Sequence, residues 1–136
     1  MLPDAILFDM DDTLISAYAG SAAAWQDIAA EFAHALGPVP HAAAAEAIAT
    51  AADRFWADED RHRWGRLNQH EARTGIVAEG FDALARAGHT VPAPDLHRTM
   101  ALRYATYRDE RMHVLDGAHA TVDWFRAQGV RVALVT

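Results

Sequence analysis

The sequence contains no cysteine, so disulfides and thiolate metal sites are excluded. It has no apolar run near the roughly 18 residues that a membrane span needs. Met1-Leu2-Pro3-Asp4 puts no basic region before an apolar stretch, so the N-terminus does not read as a secretory signal. Positive charge is scarce. Twelve basic against nineteen acidic side chains leave a formal charge of −7, which argues against a nucleic-acid partner. These absences set the expectations of a cytoplasmic protein with no membrane partner. What remains is a chain of 136 residues, enough for one ordinary domain, with a hydrophobic fraction of 51% to build a core. Much of that fraction is alanine.

The chain is organised around Ala5-Ile6-Leu7-Phe8-Asp9-Met10-Asp11-Asp12-Thr13-Leu14. Four apolar residues run directly into three carboxylates. A short apolar run bounded by a turn signal predicts a strand buried on both faces. Asp9 then stands at its carboxyl end, where open α/β sheets bind ligands. In extended backbone, residues i and i+2 point to the same side, so Asp9 and Asp11 address one point. Two carboxylates held close repel each other unless a cation or a shared proton intervenes. The pattern suggests a hard cation that prefers oxygen, such as Mg²⁺, with Asp9 and Asp11 as its ligands. One carboxylate is then available to attack and the other to move protons. The plain alternative is a polar turn after a buried strand.

The rest of the chain alternates helical patterns with stop signals. Trp25, Ile28, Ala29, Phe32 and Leu36 form one apolar stripe, ended by Gly37-Pro38. Pro40 opens an alanine-rich helix running towards Phe55 and Trp56. Asp58-Glu59-Asp60 and Arg61-His62-Arg63 read as a solvated helix face. Trp64 to Arg73 is predicted helical, Gly75 interrupts, and Ile76, Val77, Gly80, Phe81 and Leu84 continue an apolar face up to Gly88. Pro92-Ala93-Pro94-Asp95 is a linker with Asp95 as N-cap of a helix whose stripe is Met100, Tyr104 and Tyr107. No strand is predicted between Tyr18 and Arg108. After Val114-Leu115-Asp116-Gly117, a helix presents Ala118, Val122 and Phe125 inward and ends at Gly129. Val130 to Thr136 is a second buried strand. Trp25, Trp56 and Trp124 are expected as core anchors. A strand at each end with helices between makes an interrupted βαβ crossover.

The string from Phe8 to Leu14 resembles the first motif of the haloacid dehalogenase (HAD) superfamily, D-x-D-x-[TV] after a hydrophobic strand, and matches it at Asp9, Asp11 and Thr13. The resemblance implies that Asp9 is the nucleophile that takes a phosphoryl group as an aspartyl-phosphate. It implies that Asp11 is the general acid/base, its backbone carbonyl helping to hold Mg²⁺. Thr13 is implied to position Asp11 and counts with Thr136 among the substrate-binding residues. The second aspartate points to the phosphatase or phosphomutase branch rather than to the dehalogenases. The order of elements is also similar to the family's layout, in which a helical cap follows motif one and the chain returns for a helix and the next parallel strand. Val132-Ala133-Leu134-Val135-Thr136 is similar to motif two, whose hydroxyl meets the transferring phosphoryl group.

The implied fold is therefore α/β: an incomplete HAD-like Rossmannoid parallel sheet with an inserted α-helical cap. Residues 1–16 would form the core strand and motif one, 17–110 the cap, and 111–136 the resumed core. Motif three, a Lys or Arg, and motif four, one or two acids, lie beyond the second strand in the family. The chain is accordingly expected to be truncated after motif two. The implied activity is Mg²⁺-dependent hydrolysis of a small phosphorylated metabolite. A phosphomutase and a non-enzymatic binding module are the alternatives.

Other constellations carry less. Arg61, Arg63, Arg66 and Arg73 could meet an anionic substrate, with Trp64 and Asn68 beside them, but a solvated helix face accounts for them as well. The eight histidines include no pair at i, i+4, and surface placement is expected for them.

Overall fold

The computed structural model describes residues 1–17 and 21–135. In chain order the elements are β1 (Ala5–Asp9), β2 (Ile15–Ser16), α1 (Ser21–Glu31), α2 (His41–Ala57), α3 (Glu59–Leu67), α4 (Gln69–Arg86), α5 (Asp95–Arg111), β3 (His113–Val114), α6 (Ala118–Ala127) and β4 (Arg131–Val135). This is an α/β chain with a small parallel sheet and helices inserted between its strands. It divides into two compact units, Met1–Ala19 with Arg108–Thr136, and Gly20–Tyr107.

In the first unit β1 and β4 pair in parallel, from Ala5 opposite Arg131 to Asp9 opposite Val135. The amide of Arg131 donates to the carbonyl of Asp4 at 3.1 Å and extends the ladder by one bond. Helix α6 delivers the chain to β4 and packs on it. The Phe125 ring meets Phe8 edge-on, with centroids 6.0 Å apart. Gly129 makes the corner between them. At φ 77° it takes the left-handed conformation that costs glycine little. The Val130 amide then reaches back to the Phe125 carbonyl at 3.1 Å, closing a helix C-terminal turn.

Two expectations for this unit are corrected. The strands are not buried on both faces. Ile6, Phe8 and Val132 are half-buried, but Leu7 is 68% exposed, Leu134 56% and Val135 50%. Within this unit α6 packs on the sheet, and Leu7 on the face away from Phe8 is exposed. Trp124 is not a core anchor either, being 51% exposed. The α6 stripe of Ala118, Val122 and Phe125 spans about 60° of the helix, and Trp124 falls about 120° away at 100° per residue.

The second unit is helical. Helix α2 packs along both α1 and α4. Its core holds Trp25, Ile28, Leu36, Ile48, Phe55, Ile76, Val77, Phe81 and Met100. Trp25 is a core anchor as expected and stacks on Tyr104 at 4.3 Å. Trp56 is half-buried against the same core. Helix α5 is tied to α1 by Arg103, whose Nε and Nη2 donate to the two oxygens of Glu31 at 2.7 and 3.0 Å, and by a hydrogen bond from Tyr107 to Asp27.

Helix boundaries differ from the sequence reading in the middle. The helix expected through Arg73 breaks at Asn68, which has φ −130° and ψ 53°, and Gly75 lies inside the unbroken α4. The Asn68 side chain donates to the Trp64 carbonyl at 2.9 Å, satisfying the end of α3. Asp95 is the first residue of α5 rather than its cap. The short strands β2 and β3 were not expected, and α1 stops at Glu31, with turns carrying the chain to the buried Leu36.

Two glycines of α4 make opposite predictions. A Cβ on Gly80 would stand 2.9 Å from the N, Cα and Cγ1 of Ile48, two of them backbone atoms that cannot turn aside. A Cβ on Gly75 would meet nothing within 4 Å. Gly80→Ala is therefore expected to lower the urea midpoint, since overpacking of about 1–3 kcal/mol outweighs a helix-propensity gain of about 1 kcal/mol. Gly75→Ala keeps only the gain and should raise the midpoint. Equal shifts of the same sign would show that α2 and α4 do not meet at Gly80.

Among the histidines, His97 departs from the surface expectation. Its ring stacks on the buried Phe81 at 5.1 Å and 14°, and its Nε2 is buried with no hydrogen-bond partner among the described residues. Burial lowers its pKa below 6.5, partly opposed by the nearby Asp82 carboxylate. The unfolded chain then binds this proton more readily than the folded one. The stability supplied by the neutral ring is full above pH 6.5 and is lost as the pH falls through the folded-state value. The thermal midpoint should drop between about pH 7.5 and about pH 5.5, and drop less in His97→Phe, which keeps the stack without the proton. An unchanged pH dependence in His97→Phe would assign the drop to other groups.

Candidate active site

β1 ends at Asp9, so the nucleophile candidate stands at the carboxyl end of a parallel strand. Its carboxylate is exposed. Asp11 follows in an isolated bridge with Ile15 and is half-buried. The chain then turns at Asp12, which has φ 54°. The carbonyl of Met10 organises the turn, accepting from the amides of Leu14 at 3.0 Å, Ile15 at 3.1 Å and, more loosely, Thr13 at 3.4 Å. β2 leaves the turn and pairs antiparallel with β3, Ile15 opposite Val114 and Ser16 opposite His113. The amide of Leu115 donates to the Leu14 carbonyl at 2.9 Å. The acidic loop is thus fastened both to itself and to residues 113–115.

Thr13 sits on Asp9. Its hydroxyl donates to Oδ2 of Asp9 at 3.4 Å, a loose bond beside the usual range of about 2.5–3.0 Å. The expected partner was Asp11. A hydroxyl on the Asp9 carboxylate restrains its rotation. The register of β1 on β4 sets Asp9 beside Val135. Thr136, the other expected substrate-binding residue, lies outside the described residues.

The donor chemistry of the loop is all oxygen, from Asp9, Asp11 and the neighbouring carbonyls. That is the set Mg²⁺ accepts, since it binds through one or two carboxylates and fills its octahedron with waters and phosphate oxygens. Asp9 and Asp11 therefore fit the ion. No group of three or more His, Asp or Glu side chains converges among the described residues.

Of the four arginines singled out in the helical unit, Arg61, Arg63 and Arg73 are engaged with their neighbours, and Arg66 is exposed. Arg61 pairs with Glu79 and lies 4.3 Å over the Phe55 ring. Arg63 pairs with Asp60 at 3.5 Å, and Arg73 donates to Gln69 at 2.9 Å and lies over Tyr104. Trp64 is 48% exposed, and the Asn68 amide is used within its own turn. These are the contacts of helix packing and solvated faces.

The residue that sequence reading passed over in the loop is Asp12. Its carboxylate oxygen Oδ1 accepts from the Ala17 amide at 2.9 Å. The signal was present, because Asp and Asn are the side chains that best tolerate a left-handed backbone outside glycine.

A family model for haloacid dehalogenase-like hydrolases matches residues 3–136. No curated protein and no solved structure is similar enough to match the chain. No helix among the described residues is long and apolar enough to cross a membrane.

Proposed function

The chain belongs to the haloacid dehalogenase-like hydrolases, and from that premise we propose that it hydrolyses the phosphate ester of a small metabolite with the help of Mg²⁺. The observation that carries this reading is the placement of Asp9 at the carboxyl end of β1, two residues before a second carboxylate on a loop closed by the Met10 carbonyl.

In this reading a carboxylate oxygen of Asp9 attacks phosphorus in line with the leaving oxygen. The P–O bond to the metabolite breaks, and the phosphoryl group stays on Asp9 as an aspartyl-phosphate. Asp11 gives its proton to the departing alkoxide. It then takes a proton from the water that attacks the aspartyl-phosphate, releasing inorganic phosphate and restoring the Asp9 carboxylate and the Asp11 acid. Held by the Asp9 carboxylate and by Asp11 through its backbone carbonyl, Mg²⁺ would neutralise charge on the phosphoryl oxygens. Thr13 restrains Asp9. The second aspartate is what favours phosphate transfer over dehalogenation. The helical unit, Gly20–Tyr107, is the inserted cap in this reading, supported by its own closed core.

The test is phosphate release from an aryl phosphate ester by the full-length protein. Turnover that requires Mg²⁺ and stops on chelation supports the reading. Failure to release phosphate from an aryl ester and from a panel of sugar and nucleoside monophosphates overturns it.

A further inference from the structure

We propose that Asp12 is a positioning residue that fixes the loop carrying Asp9 and Asp11, through its left-handed backbone and through the hydrogen bond it accepts from the Ala17 amide. The catalytic half of this inference rests on the phosphatase reading, which gives Asp12 no chemical role of its own.

Asp12 is the one non-glycine residue at positive φ among the described residues, and it follows Asp11 directly. Side chains are crowded in that conformation, and the short polar ones tolerate it best. Asp12 is also bonded across the whole turn. Its amide donates to the Ile15 carbonyl at 2.7 Å, and its Oδ1 accepts from the amide of Ala17, five residues on, at 2.9 Å. Ala17 is buried, so a lost partner there is poorly replaced by water.

With the Met10 carbonyl holding Leu14 and Ile15, these bonds close the segment from Met10 to Ala17 on itself. β2 then carries that closed segment onto β3. Asp11 lies inside the closure and Asp9 immediately before it. A change at Asp12 therefore moves the proposed acid/base relative to the nucleophile without touching either. The effect can be large, since a shift of about 1 Å in a catalytic group can cost about 10²-fold in rate. The plain alternative is an exposed acid that happens to bond its neighbour and could be replaced without effect.

Three variants of the full-length protein separate these accounts. Asp12→Asn keeps the tolerance of positive φ and an acceptor oxygen. Asp12→Gly keeps the backbone alone, and Asp12→Ala keeps neither. Asp12→Asn should hold kcat within about threefold of wild type. Asp12→Ala should lower kcat by about 10- to 100-fold at unchanged KM, with Asp12→Gly between. Amide exchange at Leu14, Ile15 and Ala17 should quicken in the same order, while the global unfolding midpoint stays put. Wild-type kcat and wild-type exchange in Asp12→Ala would overturn the inference. A loss of kcat with exchange unchanged would overturn it too, by giving Asp12 a direct chemical role. A wild-type protein that releases no phosphate defeats the phosphatase reading separately. The exchange rates then decide alone, and unchanged protection of Ala17 in Asp12→Ala ends the case for anchoring.

Discussion

Asp9→Asn should abolish phosphate release while leaving the fold intact. The amide is nearly the shape of the carboxylate, but it has neither the charge nor the basicity to attack phosphorus. The structural cost is small for a stated reason. Asp9 is exposed, and the bond it accepts from Thr13 at 3.4 Å can be accepted equally by the amide oxygen. Stability should therefore change by no more than about 0.5 kcal/mol. Turnover of an aryl phosphate should fall by at least about 10⁴-fold, the scale seen when an attacking group is removed. Acid quench and intact-mass measurement should find a phosphorylated wild-type chain during turnover and none in Asp9→Asn. Wild-type turnover in the variant would mean that another residue takes the phosphoryl group. A variant that loses its cooperative unfolding would instead make Asp9 a structural residue.

The part of this site that could be read in the sequence is the part set by short-range rules. An apolar run ending in alternate acids specifies a strand and the atoms at its end, and β1 closes at Asp9. The position of β4 followed from a stop at Gly129 and a β-branched run, and its parallel pairing with β1 from the helices between. What could not be read was the shape of the loop between Met10 and Ala17. It depends on which amides one carbonyl collects and on a single positive φ, and neither leaves a periodic trace. The strands β2 and β3 are two residues each, too short for any alternation to show.

The misplaced helix break has a similar origin. Glycine inside a helix costs about 1 kcal/mol relative to alanine, which marks Gly75 as a weak point. Tertiary burial decides otherwise. Ala72, Ile76 and Val77 around it are fully buried, and their burial outweighs the cost. At Asn68 the balance runs the other way, because its side chain can satisfy the last turn of α3 and its chain neighbours Leu67 and Gln69 are exposed. Burial of the sheet was overestimated for a different reason. An apolar run such as Ile6-Leu7-Phe8 shows that both faces of a strand are apolar, but not what lies against them. Phe8 meets Phe125, while Leu7 on the opposite face stays 68% exposed.

Asp11→Asn has the second largest expected effect, and its form separates two roles. If Asp11 moves protons, the variant lacks the acid for the leaving alkoxide and the base for the attacking water. Loss of a general acid/base costs about 10²–10⁴-fold in turnover. The two half-reactions need not suffer equally. With an aryl ester the leaving group is already a weak base and needs little protonation, so formation of the aspartyl-phosphate should be spared relative to its hydrolysis. The phosphorylated chain should then accumulate in Asp11→Asn to a higher level than in wild type. An alkyl ester should show the reverse, because its alkoxide needs the proton and the first step becomes limiting. The bridge of Asp11 to Ile15 runs through the backbone, so the amide should leave the loop and the unfolding midpoint unchanged. Turnover unchanged for both esters, with no trapped intermediate, would take proton transfer away from Asp11. A higher Mg²⁺ requirement alone would reduce it to a metal ligand.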